Sequence, residues 1–141
     1  MKKEMTVSAV MENVEVITSL AENEMEMNGC SLELIFQVNI AIDEIFSNIV
    51  NYAYPDGAGD VWFSIDFTTS PKAVRLTFED AGIPYNPLEK EEPDITLSAD
   101  ERQIGGLGIF IVKKTMDEVE YDYKSGHNVL TVIKLIKEEN D

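Results

Sequence analysis

The sequence predicts an α+β two-layer sandwich, a mixed, mainly antiparallel sheet covered on one face by helices. Three observations carry this. Ile35, Val38, Ile42, Ile45 and Ile49 recur at spacings of three and four, which is one buried helical stripe. Val61, Phe63, Ile65 and Phe67 alternate with Trp62, Ser64, Asp66 and Thr68, which is a half-buried strand. A second alternation follows at once: Val74, Leu76 and Phe78 point one way, Arg75, Thr77 and Glu79 the other. Strands paired as hairpins expose one apolar face, and helices are needed to cover it.

In chain order, residues 4–10 read as a short strand and 12–28 as a polar, Met-rich helix closed by Gly29 as its C-terminal cap. A second helix runs over 32–53 and ends at the turn signal "YPDG". The two alternating strands come next, joined by "TSP" into a hairpin. Residues 83–104 hold three of the five prolines and many charges, and a segment this long without pattern predicts a lid or a disordered loop. A helix over 107–116 and two strands near 118–123 and 128–136, turned by "KSGHN", complete one domain spanning 1–141.

Composition narrows the function classes. Eleven basic against 27 acidic residues give a net charge of −16, which repels nucleic acid because phosphate neutralisation needs Lys and Arg. No apolar run approaches the ~20 residues of a membrane span. A single cysteine, Cys30, excludes an internal disulfide, and the start carries no secretory pattern, so a cytoplasmic protein is expected.

Three local patterns bear chemistry. Glu44, Asn48 and Asn51 lie at i, i+4 and i+7, within about 60° of one another on a helix and roughly opposite the isoleucine stripe. That face reads either as a solvated helix face or as a carboxylate beside amide oxygens suited to a hard cation such as Mg²⁺. In "EDAG", Asp80 sits at the mouth of a strand with Gly82 two residues on. It is an ordinary turn, or a carboxylate that accepts from an exocyclic amine while Gly82 admits a flat ring. In "IGGLGIF", Gly105, Gly106 and Gly108 make either a tight turn before a core helix or a bare loop around phosphates. His127 reads as a turn residue. There is no G-x-x-x-x-G-K-[ST] loop and no H-R-D catalytic loop.

The order of these patterns resembles the GHKL (Bergerat-fold) ATPase superfamily. Glu44 to Asn48 matches its N box, Asp80 to Gly82 its G1 box, and Gly105 to Gly108 its G2 box. "AIDEIFSNIVNYAYPDG", "FEDAGIPYNPLEKEEPDI" and "IGGLGIFIVKKTMDEVEY" are most similar to the bacterial anti-sigma-factor serine/threonine kinases. The resemblance covers almost the whole chain. It implies a Bergerat ATP-binding fold with a lid loop, and ATP and Mg²⁺ as nucleotide and metal. Glu44 would be the general base and Asn48 the Mg²⁺ ligand, with Asn51 in the same ATP-binding group. Asp80 would take the adenine amine, with Gly82 lining that pocket and Thr131 as a further adenine contact. Gly105, Gly106 and Gly108 would give amides to the phosphates, and Arg102 would reach the terminal one. The implied partners are a STAS-domain anti-anti-sigma protein, which would be phosphorylated, and a sigma factor, which would be sequestered; a homodimer is implied too. Two other readings stay open: a nucleotide-binding partner-switching module without significant kinase activity, and a kinase for a different target, such as a two-component or phosphatase pathway.

Overall fold

The computed structural model describes residues 2–89 and 106–136. The elements run in the expected order: β1 (Lys3–Ser8), α1 (Val14–Met27), α2 (Leu32–Asn48), β2 (Asp60–Thr69), β3 (Lys72–Asp80), α3 (Gly106–Thr115), β4 (Glu118–Lys124) and β5 (His127–Leu135). The five strands form one sheet in the order β1-β2-β3-β5-β4, and every ladder is antiparallel. The α+β fold class stands. Only residues 83–89 of the expected 83–104 lid fall within the described residues; they include a single 3₁₀ turn at Pro87–Glu89.

The two layers meet at the predicted stripe. Ile35, Val38, Ile42, Ile45 and Ile49 of the second helix are all buried. They pack on Val61, Phe63 and Ile65 of β2, Val74, Leu76 and Phe78 of β3, and Leu130 and Val132 of β5 in one continuous core. Period-2 alternation puts these strand residues on one sheet face. Phe63 and Phe78 are directly paired across β2 and β3, with ring centroids 5.1 Å apart. From α3, Ile109 and Val112 close the same core, with Met116 just beyond the helix. The opposite sheet face carries Trp62, whose ring stacks on His127 at 5.2 Å. His127 opens β5, and its Nδ1 lies 2.5 Å from Glu79 Oε2.

Local chemistry explains the element ends. Gly29 takes φ +74° just past α1, a conformation that costs a residue with a Cβ about 1 kcal/mol. Ser31 caps α2 by accepting from Leu34 N at 3.2 Å. The second helix is not one α-helix over 32–53: after Asn48 the backbone widens into a π turn, Ile49–Ala53. Such turns shift the angular register of every later side chain, and this one sits beside the residues singled out for chemistry. Among the described residues no helix is long and apolar enough to cross a membrane.

Candidate nucleotide-binding site

Glu44 and Asn48 lie one turn apart on α2, but they do not share a solvated face. Asn48 is only 6% exposed. It sits about 100° from the centre of the isoleucine stripe rather than opposite it, at 100° per residue. On that flank Tyr85 and Pro87, from the segment after β3, join it around one cavity. Its Nδ2 is buried with no hydrogen-bond partner among the described residues. A buried amide left unpaired costs roughly 1–3 kcal/mol, and such groups mark places built for something else to bind.

Asn51 does not join this pair. It is exposed, and its Nδ2 donates to Ser47 Oγ at 3.2 Å. The expectation counted 100° per residue past Asn48, and the π turn breaks that count.

Asp80 ends β3 and is 3% exposed. Its Oδ1 accepts from Gly82 N at 2.9 Å and from Asn128 Nδ2 at 2.8 Å. Burial raises the carboxyl above its usual range, and these two donors offset that rise only in part. The nearby His127 also lowers it, and Glu79 raises it. Gly82 is required by packing: a Cβ there would fall 2.2 Å from the carbonyl oxygen of Ala53. Ile83 N donates to that same oxygen at 2.9 Å. The exit of β3 is therefore fastened to the end of the π turn.

Asn48 and Asp80 face one cavity of about 20 Å³, lined also by Ile45, Ile49, Tyr85 and Leu130. That is room for a single water. Tyr85 stacks on Tyr52 with centroids 5.0 Å apart, so an aromatic pair stands at this cavity. A purine is far larger than this cavity.

The third pattern meets the first. Gly106 opens α3 and Gly108 lies in its first turn. A Cβ on Gly108 would fall 1.8 Å from Glu44 Oε2, so the carboxylate is seated directly against that turn. A helix start carries unpaired N–H groups and about half a positive charge. Gly105 and Arg102 lie outside the described residues.

Thr131 is a correction. It pairs with Thr77, while Asp80 pairs with Asn128 three positions earlier on β5. Successive side chains alternate across a sheet, so Thr131 points to the face opposite Asp80. The residue that does meet Asp80 is Asn128, 4% exposed, which sequence reading missed. A signal was present: Asn128 is a polar residue in phase with the apolar Leu130 and Val132. Among the described residues no cluster of three or more His, Cys, Asp or Glu could hold a metal.

Asp80 gives a prediction about the protein without nucleotide. Its folded pKa is raised above the usual 3.8. Below pH 3.8 the group is protonated folded and unfolded and costs nothing. As pH rises through the window from 3.8 to the folded value, the unfolded chain releases its proton first, and stability falls. Asp80→Asn keeps an oxygen for Gly82 and Asn128 and removes this loss. The variant should therefore melt higher than the parent at neutral pH, with the gap closing toward pH 3.8. Thermal melts across that range read it; a variant less stable at neutral pH contradicts the burial argument.

Comparison with known proteins bears on the family and the fold. The family model described as "Histidine kinase-like ATPase domain" matches residues 7–134. The chain is 27% identical over 145 residues to the serine-protein kinase RsbW of Staphylococcus aureus, covering 96% of this chain and 87% of that one. It is 28% identical over 102 residues to the serine/threonine-protein kinase BtrW of Bordetella bronchiseptica, covering 72% and 71%. Among solved structures, the fold matches the RsbU and RsbW domains of a Mycobacterium tuberculosis protein at a TM-score of 0.68 and 14% identity. That match covers 98% of this chain and 33% of the longer one. It also matches the SiaB–SiaC complex of Pseudomonas aeruginosa at a TM-score of 0.57 and 13% identity, covering 94% and 89%. The chain belongs to the histidine kinase-like ATPase family, the GHKL superfamily of ATP-using domains.

Proposed function

We propose that this protein is an ATP-dependent serine/threonine kinase of the anti-sigma-factor type, which phosphorylates a STAS-domain anti-anti-sigma protein and sequesters a sigma factor. One observation carries the reading: the Glu44 carboxylate is seated against the first turn of α3, one helical turn from the buried Asn48, whose Nδ2 is a donor with no partner among the described residues. A carboxylate that only solvates a helix face needs no such seat. The names of the relatives, serine-protein and serine/threonine-protein kinases, support the same reaction class.

Phosphoryl transfer asks a protein for placement and charge stabilisation more than for covalent chemistry. In this reading the Asp80 carboxylate accepts from the adenine amine. The backbone N–H groups of Gly105, Gly106 and Gly108 hold phosphate oxygens, and Arg102 reaches the terminal one. Asn48, through its amide oxygen, is the protein ligand of Mg²⁺, which when bound neutralises phosphate charge. Only 11 basic residues are present, so backbone amides and that ion carry most of the neutralisation. Glu44 takes the proton from a partner's serine hydroxyl as that oxygen bonds to the γ-phosphorus and ADP leaves. The acidic surface suits a partner with basic docking residues. The protein would act in the cytoplasm, as a homodimer.

The test is transfer of phosphate from ATP to a purified STAS-domain anti-anti-sigma protein, read as phosphoserine by mass spectrometry. The wild type should transfer in Mg²⁺ and stop when the metal is chelated. Glu44→Ala should transfer about 100-fold more slowly or worse while still binding ATP. Transfer by Glu44→Ala at the wild-type rate contradicts the base assignment. A wild type that binds ATP and partner without transferring supports the partner-switching module instead.

Gly108→Ala separates packing from chemistry. Glu44 is a long side chain and can yield, and alanine is the better helix former, so folding stability should change by less than about 1 kcal/mol. Displacing the carboxylate should nonetheless slow transfer at least about tenfold, roughly the cost of one misplaced interaction. Urea unfolding and the transfer assay read the two effects; unchanged transfer contradicts the seat.

A further inference from the structure

Asn128 uses its whole hydrogen-bonding capacity inside the protein. Nδ2 donates to Asp80 Oδ1 at 2.8 Å and to Ile83 O at 2.9 Å. Oδ1 accepts from Tyr85 N at 3.0 Å and from the Tyr121 hydroxyl. The orientation of the amide is forced, since Ile83 O can only accept and Tyr85 N can only donate. An N–H donor therefore always faces Asp80. Gly82 N adds a second donor to the same oxygen, Oδ1. Among the described residues no hydrogen bond is made to Oδ2, so Oδ2 is the oxygen left for a ligand.

We propose that Asn128 is the positioning residue that sets base selectivity: by fixing Asp80 through Oδ1, it keeps Oδ2 an acceptor, which takes a 6-amino purine and rejects a 6-oxo one. The inference rests on the nucleotide reading given above. Its logic is that a carboxylate gripped by two N–H donors favours its ionised, acceptor-only form. Without Asn128, burial drives a proton onto Oδ2, which then donates and suits a purine carbonyl. The same amide holds Tyr85, which lines the cavity, so base recognition and pocket opening share one side chain.

The experiment compares ATP with inosine triphosphate, which has a carbonyl where ATP has its amine. Affinities are measured by competition for wild type, Asn128→Ala, Asn128→Ser and Tyr121→Phe, each checked by thermal melt. The wild type should prefer ATP. Asn128→Ala should lose about ten- to a hundredfold in ATP affinity, the scale of one hydrogen bond to a charged group. Its affinity for inosine triphosphate should stay within about threefold, so the preference collapses. On acidification Asn128→Ala should release ATP at a higher pH than wild type; Glu79, His127, Tyr54 and Tyr121, the other titratable groups that act on Asp80 electrostatically or by contact with its clamp, are unchanged in that variant. Asn128→Ser keeps a donor and should recover part of the preference. Tyr121→Phe, which only loosens Asn128, should shift it less and in the same direction, and it serves if Asn128→Ala does not fold. Equal loss of both nucleotides in Asn128→Ala, or an unchanged preference, overturns the inference while leaving the nucleotide reading intact. A wild type that binds neither nucleotide overturns both.

Discussion

A carboxylate buried at the end of a strand has to be met by donors, and the arrangement around Asp80 follows from that requirement. Burial alone disfavours its charge. The backbone N–H of Gly82 and the amide of Asn128 answer it from two sides. Gly82 can lie there because it has no Cβ to strike Ala53. Asn128 can lie there because the β3–β5 register sets it directly opposite Asp80. The fixed chain after β3 then carries Tyr85 and Pro87 over Asn48. Sheet register, a glycine and the π turn are thus tied together by one charge.

The cavity between Asp80 and Asn48 has room for a water but not for a base. In the proposed reading, base binding between Asp80 and Asn48 would require the segment with Tyr85 to move away from the α2 flank. The fraction of molecules already open multiplies into the apparent affinity. Asn128 and Tyr52 both contact Tyr85. In that reading, contacts that a base never touches would set part of the affinity and selectivity.

The sequence was most legible where periodicity is strong. The isoleucine stripe and the two alternating strands announced the sandwich because each buries a continuous face. The Glu44–Asn48 pair and Asp80 were legible as residue types at a spacing. What failed did so for geometric reasons. Asn51 was misplaced because no local signal in "NIVNYAY" announces a π turn. Thr131 was chosen by type, where the parity of the strand would have excluded it. Asn128 was passed over although its apolar phase on β5 marks a buried polar group. Asn48 was placed roughly opposite the isoleucine stripe, and its burial was not foreseen because burial on the side of a helix depends on segments distant in sequence.

The central claim is that Asn48, Asp80 and the start of α3 form one site for adenosine triphosphate. Isothermal titration of the purified protein with ATP, in Mg²⁺ and after chelation, tests it most directly. Saturable binding at one site per chain, weakened when the metal is removed, is the result this account predicts. The absence of any binding heat up to millimolar ATP in the presence of Mg²⁺ would contradict it.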